Sequence, residues 1–571
     1  MNVRDLLNTR VQAALDACHA EGTAGIQTAG KPEFGDYQAN GVMAAAKRQK
    51  RNPMELAADV VGALQLDDVA DSIDIAGPGF LNIRLSTNFI ADNLVLGTPL
   101  LEAQDPPQHT VVDYSSPNLA KEMHVGHLRS TVIGDAVARA LEVLGHRVTR
   151  QNHVGDWGTQ FGMLLEYLEE TDGANSASDE LKDLEEFYRR SRERFTADDA
   201  FAQRARAKVV ALQRGDENVL AQWRHFIDVS LSHCDEVYQH LGVTLSRADV
   251  MAESAYNEDL NNVISSLAQQ GLLTESDGAQ CVFLDQFKKK DGEPLPVIVQ
   301  KSDGGYLYAT TDLAAIRYRT HKLGASRVLY FTDTRQVLHF KQVFAVARTA
   351  GFTTDDASLE HMPFGAMLGT DGKPFKTREG GVVHLTDLLN EAEQRAFELV
   401  SEKNPTLTET ERLEIARVVG VGAVKYADLS KNRGSDYVFD WDQMLAFEGN
   451  TAPYLQYAYA RIQSLFRRGD ISVQSLDGTL RPSEPAERDL AIALLRFQEN
   501  VELVARDGYP HVLCAYLYDL TTKFMRFYEQ CPILTAQSLS ARDNRLRFSH
   551  RTAETLRAGL SLLGIETVDR M

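Results

Sequence analysis

Two histidines three residues apart, His124 and His127, flank Val125-Gly126 immediately ahead of a long helical pattern. At i and i+3 they stand on one side of a helix start, where free N–H groups and the helix dipole draw an anion such as a triphosphate. Gly126 carries no side chain to keep a planar base or a phosphate away from the backbone. With 15 His and 39 Gly in 571 residues, H-x-G-H arises by chance roughly 0.03 times in such a chain. A satisfied surface pair or half of a metal site would use the same residues, although two histidines without a third ligand nearby make a poor zinc site. A second segment runs Gly369-Thr370-Asp371-Gly372-Lys373-Pro374-Phe375-Lys376-Thr377-Arg378-Glu379-Gly380-Gly381. Its three cations between glycines suit a loop that closes over phosphates and follows charge as it develops. Alone, it reads equally as a mobile surface turn.

These residues need a scaffold. HTVVDY (109–114) reads as a strand, SSPNLAKEMH as a loop, and the stretch from about Gly126 to Leu144 as a helix ended by Gly145. RVLYFTD (327–333) is another buried strand with helical segments on both sides. Alternating β and α elements predict a doubly wound parallel sheet whose ligand sits at the carboxyl ends of the strands. Ahead of it, two helices and SIDIAGPGFLNIRL, with apolar residues alternating around Gly77-Pro78-Gly79, predict a small α+β unit. Pro106-Pro107 marks a linker, because neither proline continues a helix. From about Thr408 onward helical periodicity dominates, so an all-α bundle ends the chain.

The charge balance adds a constraint. Sixty Lys and Arg against 80 Asp and Glu give −20, so a polyanionic partner requires locally basic surface. Between Glu166 and Asp199 twelve acidic residues face five basic ones, as in an inserted, solvated helical segment, whereas Arg542 to Arg557 holds five Arg and two acidic residues. The five cysteines are scattered and form no C-x-x-C pair, which indicates packed thiols and neither disulfides nor zinc. The amphipathic N-terminus lacks the apolar run of a signal peptide, and no 18-residue apolar stretch occurs, so a cytoplasmic protein is expected.

Taken together, the two loops are similar to the paired signatures of class I aminoacyl-tRNA synthetases. The second signature, usually Lys-Met-Ser-Lys-Ser, stands here as Lys373-Pro374-Phe375-Lys376-Thr377 and keeps both lysines and a hydroxyl. SSPNLAKEMHVGHLRSTVIGD (115–135) and QNHVGDWGTQFG (151–162) resemble the arginyl-tRNA synthetases in particular. The likeness continues through YLYATTDLA, FTDTRQVLHFKQVF, DYVFDW, NTAPYLQYAYARI and the terminal LGIETVDRM. It implies the bacterial form: an N-terminal additional tRNA-binding domain over 1–105 and a Rossmann-like catalytic domain over 106–368 with a helical insertion at about 166–255. A phosphate-loop and connecting helical region would follow over 369–445, and an anticodon-binding bundle over 446–571.

The same resemblance implies the chemistry. Arginine and ATP would give arginyl-adenylate and pyrophosphate, and the arginyl group would pass to the terminal ribose of tRNA(Arg), with Mg²⁺ assisting and a monomer sufficing. His124, His127, Lys376 and Lys121, a lysine just ahead of the first signature, would be the catalytic set. His124, Gly126, His127, Lys373, Lys376 and Thr377 would hold ATP. A guanidinium is a planar five-donor fork that needs facing carboxylates and a hydroxyl; Tyr308 and Asp312 match that pair, and Glu253 is a third candidate. Asn118 and Gln336 match residues holding the α-amino and carboxylate ends, near His124, and Asp113 neighbours the amino group. Outside the motif, Asn118 reads as a cap, Tyr308 as a core aromatic and Asp113 as an ion-pair partner at a strand end. Phe80 and Asn82 match an aromatic and an amide that touch the outer corner of the tRNA, or else a hairpin core and turn. Arg542, Arg545 and Arg547 are candidate tRNA contacts in the bundle, and Tyr454, Tyr457 and Tyr459 could stack on bases, with helix packing the expected use of at least two. The rival readings are a nucleotidylyltransferase sharing the H-x-G-H loop, which would need no C-terminal bundle, and a silent tRNA-binding paralogue, which should have lost His124, His127 or Lys376.

Overall fold

The computed structural model describes residues 1–171, 184–375 and 383–571; Lys376 and Thr377 lie outside the described residues. The N-terminal unit packs α1 (Val3–Ala17), α2 (Gly41–Gln49) and α3 (Pro53–Ala63) on an antiparallel sheet of β1 (Ile26–Thr28), β2 (Tyr37–Ala39), β3 (Ala70–Ala76) and β4 (Phe80–Leu85), in the order β1-β2-β4-β3. Leu81, Ile83 and Leu85 alternate inward to the core, as the period of two requires. Gly77 and Gly79 take positive φ to turn the β3–β4 hairpin. Helix α4 (Thr87–Asn93) leads to the second unit.

That unit is built on β5 (His109–Asp113), β6 (Arg147–Gln151), β10 (Arg327–Tyr330) and β11 (Ser358–His361), all parallel, in the order β11-β10-β5-β6. Helix α5 (Val125–Val143) joins β5 to β6, and 14 of its 19 residues are buried. A helix enclosed on all sides carries no polar stripe, and its buried polar groups must find partners. Ser130 Oγ donates to the Phe331 carbonyl at 2.7 Å, and Thr131 Oγ1 to Ser115 Oγ at 2.9 Å. Gly134 is needed for close packing, because a Cβ there would lie 2.3 Å from Tyr114 Cβ.

Between β6 and β10 come α6 (Thr159–Glu170), α7 (Leu184–Ala197), α8 (Asp199–Gln213), α9 (Glu217–Leu241) and α10 (Asn257–Gln269). The acidic charge here is locally matched: Arg189 pairs with Glu186 and Glu193, and Arg194 with Glu170 and Asp198. An antiparallel sheet of β7 (Leu273–Ser276), β8 (Ala279–Val282) and β9 (Val297–Gln300), which the sequence patterns had not suggested, precedes α11 (Tyr308–Arg317). Helix α12 (Val337–Thr349) connects β10 to β11. Two short parallel strands, β12 (Met367–Leu368) and β13 (Tyr437–Val438), bracket α13 (Leu385–Lys403) and α14 (Glu409–Leu429), and α15 (Trp441–Met444) follows. The chain ends in a bundle of α16 (Ala452–Gly469), α17 (Pro485–Leu495), α18 (Phe497–Asp507), α19 (His511–Gln530) and α20 (Leu539–Leu562). Among the described residues, no helix is long and apolar enough to cross a membrane. Four cysteines are buried and the fifth, Cys18, is half-buried; all are free thiols.

Lys425 on α14 joins these units. It is fully buried, and its Nζ donates to the carbonyls of Leu241, at the end of α9, and Gly564, beyond α20, both at 2.6 Å. Burial lowers its pKa to about 8 against the opposing pull of Asp135 on α5. Removing one partner of such a buried charge cluster typically costs about 3–5 kcal/mol. Lys425→Met, which keeps the bulk, is therefore expected to lower stability by about that amount. Urea unfolding followed by fluorescence checks it, and an unchanged midpoint would contradict the node's importance.

Candidate active site

A cavity of about 1090 Å³ opens at the carboxyl ends of β5 and β10, where a doubly wound sheet is expected to hold its ligand. Beyond Asp113 the chain passes through two consecutive left-handed residues, Ser115 (φ 69) and Ser116 (φ 47), a costly conformation for side chains with a Cβ. It is held by Ser115 N donating to Ser130 Oγ (2.9 Å), Ser116 N donating to Asn152 Oδ1 (3.0 Å) and a Ser115–Tyr238 hydroxyl contact at 2.7 Å. This turn delivers Asn118 to the cavity wall. Asn118 Oδ1 accepts from Ala120 N at 3.0 Å, so the capping use and the place on the cavity wall coexist. The 151–162 segment lies alongside: Leu119 N donates to Gly155 O, and Gly155 N to Pro117 O.

At the start of α5 each histidine satisfies backbone through its own ring. His124 Nδ1 accepts from Gly126 N at 3.0 Å, and His127 Nδ1 accepts from His124 N at 3.1 Å, with ring centroids 4.1 Å apart. This corrects the expectation of free N–H groups here. A neutral imidazole whose Nδ1 accepts carries its proton on Nε2, so the pair offers two Nε2–H donors in place of two backbone ones. Burial and the neighbouring His124 hold the His127 pKa down to about 3, which makes it a neutral donor at physiological pH. Gly126 lines the cavity, but its immediate necessity is internal: an added Cβ would lie 2.6 Å from His124 Cε1.

The residues just beyond the second loop are strapped to the first. Val125 N donates to Val383 O and Leu385 N to Met123 O, and at the other end Phe375 N donates to Met367 O. Gly372, at φ +72, closes the tight turn in which Gly369 N bonds Lys373 O. Pro374 and Phe375 reach the cavity, while Lys373 is exposed on the turn. Lys121 lines a separate groove, its Nζ 4.2 Å from the ring centroid of Tyr188 on α7.

Another part of the lining is acidic. Tyr308, at the start of α11, is 68% exposed and lines the cavity, so it is not a core aromatic. Asp312, one turn on, meets His339 Nε2 through Oδ2 at 2.6 Å. Glu253, whose backbone N donates to Val154 O, faces them. Burial, then Asp156 and Asp312, push its pKa up to about 8. Asp156 is itself buried and accepts from Ser254 N at 2.9 Å. A desolvated carboxyl beside other carboxyls holds its proton more tightly. Asp113, by contrast, forms a 2.7 Å ion pair with the fully buried Arg319, whose Nε donates to Gln151 Oε1 at 2.6 Å. Arg319 sits in a π-helical turn, Tyr318–Lys322, the kind of irregularity that clusters at functional sites. Gln336 ends a short turn, Thr334–Gln336, that also lines the cavity. His339, Asp156 and Arg319 escaped the sequence reading; the LHF of the 331–344 segment was the one local signal for the first.

Asn82 is buried, its Oδ1 accepting from Gln38 Nε2 at 2.7 Å, with Phe80 half-buried two residues before it on β4. In the bundle, Arg545 turns inward to the buried Glu487 (2.8 Å) and to Pro532 O, Arg547 bonds Asp477 O, and Arg542 lies 3.7 Å from Asp543. The 542–557 stretch is therefore less of a basic surface than its composition implied. A basic hollow of about 340 Å³ lies elsewhere, lined by Tyr457, Arg461, Arg467, Arg468, Tyr528 and Arg570. Arg461 stacks 4.6 Å from the Tyr528 ring. Tyr459 is buried and Tyr454 packs on Tyr518 at 6.0 Å, so of the three tyrosines only Tyr457 faces the hollow.

An H-x-G-H helix start above a parallel sheet, tied to the chain just after a lysine loop, with a separate helical bundle bearing cations and aromatics, is the plan of a class I aminoacyl-tRNA synthetase. The family model described as "tRNA synthetases class I (R), catalytic domain" matches residues 90–441, the "Arginyl tRNA synthetase N terminal domain" matches 4–85, and the "DALR anticodon binding domain" matches 455–571. The chain belongs to the arginyl-tRNA synthetase family. It is 58% identical over 579 residues to the arginine--tRNA ligase of Hahella chejuensis and 57% identical over 581 residues to that of Marinomonas sp., covering 100% of each chain. The solved arginyl-tRNA synthetase of Plasmodium falciparum superposes with a TM-score of 0.86 at 29% identity, covering 100% of this chain and 99% of that one. The Thermus thermophilus enzyme gives 0.85 at 26%, covering 100% of both.

The raised Glu253 pKa has a measurable consequence. With its pKa pushed up to about 8, Glu253 is protonated in the empty site at neutral pH; if it meets the guanidinium of arginine, binding favours the carboxylate, so affinity for that cation rises with pH and levels off above about 8. The KM for arginine should fall by up to about tenfold per pH unit below that value, and Glu253→Gln should flatten the profile. An identical slope in both enzymes would place the titration elsewhere.

Proposed function

We propose that the cavity joins L-arginine to ATP, and that the protein then passes the arginyl group to tRNA(Arg). In the first step a carboxylate oxygen of arginine attacks the α-phosphorus in line, the bond to the β-phosphate breaks, and pyrophosphate leaves. In the second, a terminal ribose hydroxyl of the tRNA attacks the carbonyl and AMP departs. The observation that carries this reading is the lining of one cavity, which brings together the Nε2–H groups of His124 and His127 and the Glu253 and Asp312 carboxyls, the former beside Asp156.

Such a site works by positioning and charge more than by a general base. The two imidazoles donate to the phosphates, and Lys376, with Lys373 and Thr377, takes the charge of the leaving pyrophosphate. Lys121 is the alternative source of that charge. Asn118 and Gln336 hold the amino and carboxylate ends, while Tyr308, Asp312 and Glu253 take the guanidinium. Mg²⁺ enters with the triphosphate as part of the substrate; among the described residues no group of three or more His, Cys, Asp or Glu is placed to hold a metal ion. Phe80 and Asn82 meet the outer corner of the tRNA. The basic hollow around Arg461, Arg468 and Tyr457 suits an unpaired base with its phosphates, which favours it over Arg542, Arg545 and Arg547 as the anticodon contact. The reaction takes place in the cytoplasm.

Two measurements test this. In ATP–pyrophosphate exchange with tRNA present, Asp312→Asn should raise the KM for arginine at least thirtyfold, about 2 kcal/mol, and leave that for ATP within threefold. An equal loss for both ligands, or exchange supported by another amino acid, would sink the assignment. Arg468→Ala should weaken tRNA binding and flatten its log–log salt dependence by about 0.7–0.9; an unchanged slope would move the contact elsewhere.

A further inference from the structure

We propose that His339 is the positioning residue that fixes the plane of Asp312 for the guanidinium, a role that rests on Asp312 being the guanidinium partner. Asp312 projects from the first turns of α11 and His339 from the start of α12, and both line the cavity. A carboxylate on a helix surface turns about two side-chain bonds, yet a planar fork is held best when both oxygens lie in the plane of its N–H groups. The bond from His339 Nε2 to Asp312 Oδ2, at 2.6 Å, removes that freedom and leaves Oδ1 and the second lone pair of Oδ2 to the ligand. Because the orientation is set before the substrate arrives, less ordering entropy is lost on binding.

The ring that does this is itself held. His339 lies edge-on to Phe340 at 5.3 Å, Phe340 stacks on His361 at 4.8 Å, and His361 Nε2 meets Thr332 Oγ1 at 2.8 Å. Phe340 also packs on Tyr330 of β10 at 5.0 Å. The sheet thus fixes the wall, the wall fixes His339, and His339 fixes Asp312. The bond has a second effect. Asp156 and Asp312 lie near enough to raise the proton affinity of Glu253, and a donor on Asp312 eases that repulsion in the empty site without occupying the face the substrate needs.

The stereochemistry provides a clean test. A glutamine at 339 can place its amide nitrogen near the position of Nε2, whereas an asparagine reaches only the position of Nδ1. With full-length enzyme and tRNA in ATP–pyrophosphate exchange, His339→Asn should raise the KM for arginine about tenfold or more. The KM for ATP and kcat should stay within twofold, and His339→Gln should recover most of the loss. Added to Asp312→Asn, His339→Asn should cost little more, since the group it orients is already altered. If His339→Asn leaves the arginine KM within twofold while Asp312→Asn raises it, or if Asn and Gln behave alike, or if the two losses multiply, His339 does not act through Asp312. A failure of Asp312→Asn itself to move the arginine KM would instead overturn the pocket assignment, and the proposal with it.

Discussion

The site depends on a single buried charge. Asp135 lies in the middle of α5 at 1% exposure; burial alone would raise its pKa, but Arg139 and Lys425 pull it below the ordinary carboxylate value. A carboxylate kept ionised at that depth must be surrounded by donors. They come from separate parts of the chain: Thr244 N (2.9 Å) and its hydroxyl from beyond α9, Arg139 Nε (2.7 Å) from α5 itself, and Tyr114 OH (3.4 Å) from the end of β5. Arg139 reaches on to the carbonyl of Gly242 at 2.8 Å, and Lys425 to that of Gly564. The rotation of α5 about its axis is thereby set by the sheet, the inserted helices and the C-terminal tail together, and with it the direction in which His124 and His127 present their rings.

What α5 presents differs from a generic helix start. Helix N-termini bind anions through unpaired N–H groups, but here the imidazoles cap those groups and substitute their own Nε2–H donors. The exchange places the donors farther from the helix axis, and the helix start that carries them is tied to the chain at Val383 and Leu385. The left-handed pair Ser115 and Ser116 shows the same economy: an unfavourable backbone is tolerated because Ser130, Asn152 and Tyr238 each hold it.

What could be read in the sequence was local. The H-x-G-H helix start, the strands β5 and β10 and the lysine loop all declare themselves within about a dozen residues, and their parallel sheet followed from alternation alone. The unread parts lie far apart along the chain. Asp113 gave no sign that Arg319 would pair with it, nor Asp312 that His339 would bond it, because each partner arrives by a separate crossover of the sheet. Charge composition misled where geometry decided: Arg545 counted as basic surface but is spent on Glu487, while Arg461 and Arg570, too distant in sequence to form a cluster, meet in one hollow. The acidic 166–199 stretch, in its described part, is paired to its own arginines and to Arg204 and Lys208 on α8, so the −20 says little about the face a tRNA would meet.

Arginine carries a cation at each end, and a cavity with several carboxylates could accept it backwards. The pairing of those carboxylates argues against that. Asp113, beside the loop of Asn118, is matched by a fully buried guanidinium; Asp333 is paired with Arg335; Asp436 accepts from the backbone of Ala366 at 2.6 Å. Glu253 faces other carboxylates in place of a cation, and Asp312 is bonded only through one oxygen to a histidine. The cavity carboxyls left without a guanidinium or backbone partner are thus Glu253 and Asp312, where a planar fork gains two parallel bonds and an ammonium group gains less. Orientation of the substrate follows from which carboxylates already have partners, not from how many there are.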